Sequence, residues 1–301
     1  MESTLSDIAA RHTPPAPSTT RPTWLHDTVW PWTRQQLTTA HGPISYTDTG
    51  GQERPTVLLV HVGMWSLVWR DVMRELTSIG NRCVSLDAPA TGLSAAGTGR
   101  PTLGGAADAI DTLVCDLDLH DLVLVTHDLG TISALDAASR WPERVRGLVV
   151  VNGFGWRPSG PAFRGMLAFM GNPIVGEFSA VTGWLAWASA TRFGAGRRWN
   201  RDDRRAYRAG LHRRQRRAFH HYMASARRHD YRAVEQALHA FTDLPSATIF
   251  GQRNDPLRLQ PKWKTRLPNV EQTVIPNGYH FPMCDDPDLV ATTITAIANK
   301  P

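Results

Sequence analysis

Cysteine is scarce in this 301-residue chain, and the three present, Cys83, Cys115 and Cys284, are widely spaced. An odd, scattered set excludes a disulfide framework and a zinc pattern. Cys83 and Cys115 lie in apolar runs, as buried free thiols do. Long hydrophobic stretches are also missing: no run approaches the roughly 18 apolar residues that a membrane helix needs. Residues 1–24, MESTLSDIAARHTPPAPSTTRPTW, lack the basic start and apolar stretch of a signal peptide. Residues 1–20 hold too little apolar surface to offset the entropy of ordering, so a disordered N-terminal arm is expected there. A reducing, cytoplasmic setting fits these absences. The zinc signature H-E-x-x-H is absent too, despite His212, His220, His221 and His229, so neither a metal nor an organic cofactor is expected. There are no internal repeats.

What the chain has in excess is arginine. Its net charge is +6, and the surplus gathers between Arg192 and Arg232 in pairs such as Arg197-Arg198, Arg204-Arg205, Arg213-Arg214 and Arg216-Arg217. Such density can mark a nucleic-acid or membrane-surface patch. Here it comes without a zinc pattern, an RNP-like strand or a helix-turn-helix. A solvated helical face whose arginine stems cover apolar surface is the plainer reading, and neither nucleic acid nor membrane is expected as a partner. The sequence carries no signal for an oligomeric state.

Two kinds of segment alternate along the chain. Short β-branched or leucine-rich runs recur at 56–61 (TVLLVH), 82–87 (RCVSLD), 121–126 (DLVLVT), 145–151 (VRGLVVV), 246–250 (SATIF) and 271–275 (EQTVI). Their near-continuous apolarity suits parallel strands covered on both faces. Helix-like stretches lie between them at 68–78, 103–117, 131–140, 260–266 and 287–299. This alternation predicts a mostly parallel, doubly wound sheet with right-handed crossovers. Two short runs within 36–47, around His41-Gly42-Pro43, predict an antiparallel hairpin at its edge. The stretch 153–240 is too long for a loop or one crossover helix and is helical in pattern. It is expected to be a helical lid inserted into a core domain made of 21–152 and 241–301.

The segment Val123-Leu124-Val125-Thr126-His127-Asp128-Leu129-Gly130-Thr131 reads as a strand turning sharply into a helix. Such a turn displays its central residue at the carboxyl edge of the sheet, beside the free N–H groups of the helix. In the nucleophile elbow G-x-S-x-G a serine holds this place. Here Asp128 does, and Thr126 replaces the leading glycine; helix capping is the plainer role for such an Asp. Two later features raise Asp128 above a cap. Gly278-Tyr279-His280-Phe281-Pro282 follows the last strand-like run, where a histidine base belongs, and Asp255 in FGQRNDP follows the run before it, where the orienting acid belongs. His61-Val62-Gly63-Met64 ends the first parallel run, so backbone N–H groups of Gly63 or Val62, with that of Leu129, are the expected oxyanion donors.

With these residues in order, the chain resembles the α/β-hydrolase branch that holds epoxide hydrolases and haloalkane dehalogenases, from about residue 44 to the C-terminus. The resemblance rests on LLVHVGMWSLVWRDVM, VSLDAPATGLS, LVTHDLGT, RWPERVRGLVVVNGF, FGQRNDP and GYHFPMCDDPD. It implies an α/β-hydrolase fold with a helical cap and Asp128 as nucleophile. Some dehalogenases place the acid after the run ending at Val151; Asn152 stands there, so Asp255 is the expected acid. Haloalkane dehalogenases usually hold the leaving halide with a Trp directly after the nucleophile, where this chain has Leu129. Epoxide hydrolases protonate the opening ring from lid tyrosines, and Tyr207, Tyr222 and Tyr231 lie in the lid. Trp65, Asn152 and Trp156 are the other expected substrate or halide contacts, with Trp184 and Trp187 as further wall residues.

A carboxylate attacking an ester makes a mixed anhydride that collapses back. Attacking a saturated carbon with a leaving group, or a strained ring, it makes an ordinary ester that water activated by His280 can hydrolyse. An apolar small molecule is therefore the expected partner, and epoxide hydrolysis the expected reaction. The alternatives are haloalkane dehalogenation and non-catalytic ligand binding.

Overall fold

A computed structural model describes residues 21–51, 55–95 and 97–300. The expected N-terminal arm, 1–20, lies outside the described residues. The strands are β1 (Gln35–Thr39), β2 (Gly42–Asp48), β3 (Thr56–His61), β4 (Cys83–Asp87), β5 (Leu122–His127), β6 (Val145–Val151), β7 (Ser246–Gly251) and β8 (Glu271–Ile275). They form one sheet in the order β1-β2-β4-β3-β5-β6-β7-β8. β1 and β2 are the expected edge hairpin, turning at Gly42 with φ +101°, and β2 lies antiparallel to β4. All later pairings are parallel. Every residue of β3, β4, β5 and β7 is buried, which is why those runs lack the alternation of a half-exposed strand.

Helices cover both faces. They are α1 (Arg70–Ser78), α2 (Leu103–Asp116), α3 (Gly130–Ala138), α4 (Pro161–Met170), α5 (Pro173–Thr182), α6 (Trp184–Ser189), α7 (Arg201–Ala209), α8 (Arg213–Ala226), α9 (Arg232–Ala240), α10 (Leu259–Lys262), α11 (Pro282–Asp285) and α12 (Pro287–Ala298). α12 packs on β5, β6 and β7 with α1 beside it, and α3 packs on β3 and β5 with α2 and α9 beside it. This is an α/β-hydrolase fold. The six helices α4 to α9 all fall between β6 and β7, with α5 and α4 packed on α8. Cys115 is exposed, not buried as its apolar run suggested, because it falls on the outer side of α2. Among the described residues no helix is long and apolar enough to cross a membrane.

Two buried ion pairs hold the parts that frame the site. Arg34 reaches Asp87 at the end of β4, and both side chains are almost wholly buried. Asp87 also accepts from the Ser66 N–H at 3.0 Å and the Leu93 N–H at 2.9 Å, while Arg34 donates to Ser45 and Ser66. Every strong donor and acceptor in this knot has a partner, the condition under which a buried pair is tolerated. Arg70 at the start of α1 reaches Asp203 on α7, tying the helical segment to the sheet layer. Asp203 is fixed in turn by a reciprocal cap with Asn200.

Candidate active site

β5 ends at His127 and α3 begins at Gly130, which leaves Asp128 at the turn with φ +48°. A non-glycine residue in the left-handed region is strained and persists only where packing imposes it. The packing here is explicit. A Cβ on Gly130 would stand 2.9 Å from the Val60 carbonyl oxygen and 3.2 Å from the Val62 nitrogen. The helix thus starts directly against the end of β3, bringing the Val62–Gly63 turn beside the Asp128–Leu129 turn. Thr126, which departs from the elbow motif, is fully buried, with its hydroxyl 3.0 Å from that of Thr131. Gly153 leaves room for this pair: a Cβ there would lie 2.1 Å from the Thr131 oxygen.

The loop after β8 brings His280 Nε2 to 3.7 Å from the Asp128 carboxylate. Burial alone would raise the Asp128 pKa, but the adjacent His280, together with His127 and the Leu129 N–H, holds it below the usual carboxylate range. Asp128 is therefore an anion at neutral pH. Leu129 is where sequence reasoning put one oxyanion donor, and its N–H faces the carboxylate. Gly63, at φ +98°, lies under Phe219 of α8, whose ring a Cβ would meet at 3.1 Å.

His280 is held through its backbone as well as its ring. Its carbonyl oxygen is 2.8 Å from His127 Nε2 and accepts from the Asn152 amide at 2.9 Å. Asn152 also donates to the Tyr279 carbonyl and accepts from the Gly251 N–H, so it braces the histidine loop against β7. A carbonyl only accepts, so His127 carries its proton on Nε2 and its Nδ1 accepts from His61 Nδ1 at 2.9 Å. His61 Nε2 is then left with a lone pair, buried and without a protein partner among the described residues. Burial, with His280 nearby, lowers the His61 pKa to about 3, and burial also depresses that of His127, so both rings are neutral.

The side chain beside His280 Nδ1 is not the one expected from sequence. The Asp255 carboxylate accepts from the N–H groups of Leu259 at 2.5 Å and Gln260 at 3.0 Å, and so caps α10. The Asn254 side chain lies 3.0 Å from His280 Nδ1 instead. The turn closed by the Asn254 N–H on the Gly251 carbonyl points Asn254 at the histidine and turns Asp255 away. An Asp before Pro256 equally reads as a turn residue, and nothing in FGQRNDP distinguishes an Asn that reaches His280 from an ordinary turn Asn.

A cavity of about 880 Å³ opens over Asp128 and His280. Met64, Met170, Leu185, Phe219, Met223 and Phe281 make its walls largely apolar, and His61, Trp187 and Arg192 also reach it. Several expected contacts lie elsewhere. Trp65 is fully buried, stacked 6.5 Å from Tyr207 and edge-on to Trp24. Trp156 packs against Trp263 and Phe154. The tyrosines are buried and none of the three lines the cavity: Tyr207 donates to Met64 Sδ at 3.1 Å, Tyr222 to the Pro89 carbonyl and Tyr231 to the Ala226 carbonyl, both at 2.8 Å. Their hydroxyls are taken up by packing partners, an outcome that spacing alone does not reveal. Of the four tryptophans singled out in the sequence, Trp187 is the one that lines the cavity.

A family profile described as the alpha/beta hydrolase family matches residues 57–293. The chain belongs to that family. Among curated relatives it is 30% identical over 146 residues to a haloalkane dehalogenase of Mesorhizobium japonicum, 47% of this chain and 42% of that protein. It is 28% identical over 134 residues to a cis-3-alkyl-4-alkyloxetan-2-one decarboxylase of Shewanella oneidensis, 42% of this chain and 40% of that protein. The chain thus spans about two fifths of the length of the curated relatives it matches. A crystal structure of a haloalkane dehalogenase from Bradyrhizobium elkani superposes with a TM-score of 0.71 at 20% identity, covering 88% of this chain and 98% of that one. The likeness lies on the dehalogenase side of the family, and the expected epoxide hydrolase finds no support in these relatives.

Proposed function

We propose that the protein is a hydrolase that forms an alkyl ester on Asp128, of haloalkane-dehalogenase type, with residues 153–240 as its lid. The observation that carries this reading is an ionised carboxylate at a strand–helix turn, 3.7 Å from a histidine, under a largely apolar cavity. Asp128 attacks an sp³ carbon, the carbon–halogen bond breaks, and halide leaves with the bonding pair. Water then gives a proton to His280 Nε2 and adds to the ester carbonyl of Asp128. The N–H of Leu129, with that of Val62 or Gly63, would receive the negative charge on the tetrahedral oxygen. Collapse expels the alkoxide, which takes the proton back from His280. Asp128 is regenerated carrying one oxygen from water.

Asn254 takes the orienting role in this scheme. With its amide oxygen toward Nδ1–H it sets the tautomer in which Nε2 can accept a proton. With its N–H toward Nδ1 it sets the other. Unlike a carboxylate, it adds no charge to stabilise the imidazolium.

The tyrosine positions count against an epoxide substrate, because the alkoxide leaving group would find no acid among Tyr207, Tyr222 and Tyr231. The expected halide contacts Trp65, Asn152 and Trp156 are also engaged elsewhere, which favours a second reading. A four-membered lactone ring, the class named in the Shewanella oneidensis relative, would release a carboxylate, an anion that needs no acid.

Single-turnover reaction in H₂¹⁸O, with mass analysis of the peptide bearing Asp128, tests the ester. Label entering Asp128 with release of halide supports the leading reading. Label with a lactone but no halide release supports the second. No label and no consumption of haloalkane, lactone or epoxide would favour a non-catalytic binding protein; lactone consumed without label, with release of CO₂ and alkene, would support the second reading.

A further inference from the structure

We infer that the helical layer over the cavity docks on the surface of an anionic phospholipid bilayer. Exposed large apolar side chains are confined in an unusual way. Of the ten such residues among the described ones, eight fall between Met166 and Phe193, on α4, α5, α6 and the loop that follows. On α5, Ile174, Phe178 and Val181 recur at helical spacing on one face, while Gly176, Ser179 and Ala180 pack inward toward α8. Ile174 is 80% exposed and Trp187 64%. Scattered apolar residues need no explanation on a protein surface, but a contiguous set of this size marks an interaction site.

The surrounding charge identifies the partner. Residues 153–240 contain sixteen arginines, no lysine and five acidic residues, a net +11, whereas the rest of the chain carries −5. Arg201, Arg204 and Arg208 share one concave surface with Trp187 and Arg192, and the Arg192 guanidinium lies 4.7 Å from the Phe193 ring. Arg213 and Arg217 take Glu177, but Arg192, Arg201 and Arg208 meet no carboxylate among the described residues. Aromatic and aliphatic residues beside unpaired arginines match the layered chemistry of a bilayer surface, acyl chains beneath anionic headgroups. A second copy of the chain would set arginine against arginine. This revises the expectation from composition that no membrane surface is a partner.

The location gives the contact a purpose whatever the leaving group. Met166, Trp187 and Phe193 are exposed on this face and also line the cavity over Asp128. An apolar compound dissolved in the bilayer would enter without crossing water.

Flotation with vesicles tests the proposal, using phosphatidylcholine alone or with 30 mol% phosphatidylglycerol, on the full chain. At least ten-fold more protein should float with the anionic vesicles, and 0.5 M salt should reverse most of that gain. The I174E/F178E variant should lose binding while keeping its circular dichroism spectrum and melting temperature. The R201E/R208E variant should lose the preference for anionic lipid. Equal recovery with both vesicle types, or full binding by I174E/F178E, would overturn the proposal. A dimer in light scattering that I174E/F178E dissociates, without vesicle binding by either protein, would assign the face to a second copy and overturn it as well.

Discussion

Replacing Asn254 by aspartate puts a carboxylate beside His280 Nδ1, where the native amide lies at 3.0 Å. Unit charges about 4–5 Å apart interact by roughly 3–4 kcal/mol at an effective dielectric of about 20. The His280 side chain is 35% exposed, and solvent screening reduces that gain to about 1–2 kcal/mol. This corresponds to about ten-fold in a step that protonates the imidazole. Attack of Asp128 on substrate uses no base and should change little. Hydrolysis of the ester should accelerate about ten-fold. Rapid-quench kinetics following the esterified and free peptide of Asp128 from pH 6 to 10 separates the two steps. An unchanged rate of ester hydrolysis in a folded N254D protein would refute the assignment of Asn254 as the residue that orients His280.

The H280Q variant should stop at the ester, visible as a stable mass increase of the intact protein. A variant that forms no adduct with a substrate turned over by the native chain would remove Asp128 as the nucleophile. NMR titration of the Asp128 carboxyl should give a midpoint below the ordinary value of about 3.9; its contribution to stability is then present above that value and lost as pH falls through the folded midpoint. A midpoint above about 3.9 would mean that burial outweighs His280. D87N should cost about 3–5 kcal/mol in chemical denaturation, because it strands the buried Arg34 guanidinium. A loss under about 1 kcal/mol would show that the Arg34–Asp87 pair is solvated in solution.

Much of the molecule was legible in the residues themselves. Near-continuous apolar runs at 56–61 and 145–151 coincide with β3 and β6, because a strand covered on both faces writes its burial directly into composition. The order of Asp128 and His280, each just past a strand, foretold that the two would lie together, because parallel strands end at one edge. The neighbour of His280 Nδ1 was decided only in three dimensions. Asp255 and Asn254 are neighbours, and the Gly251–Asn254 turn selects which one reaches His280. The cavity wall was decided there too. Tyr207, Tyr222 and Trp65 have the chemistry of contact residues, but crossing helices turned them into packing. The arginine excess was plain in the sequence. That it rims an exposed apolar face at the mouth of the cavity follows only from how α4 and α5 are laid on α8, since helix spacing defines a face but not what it meets.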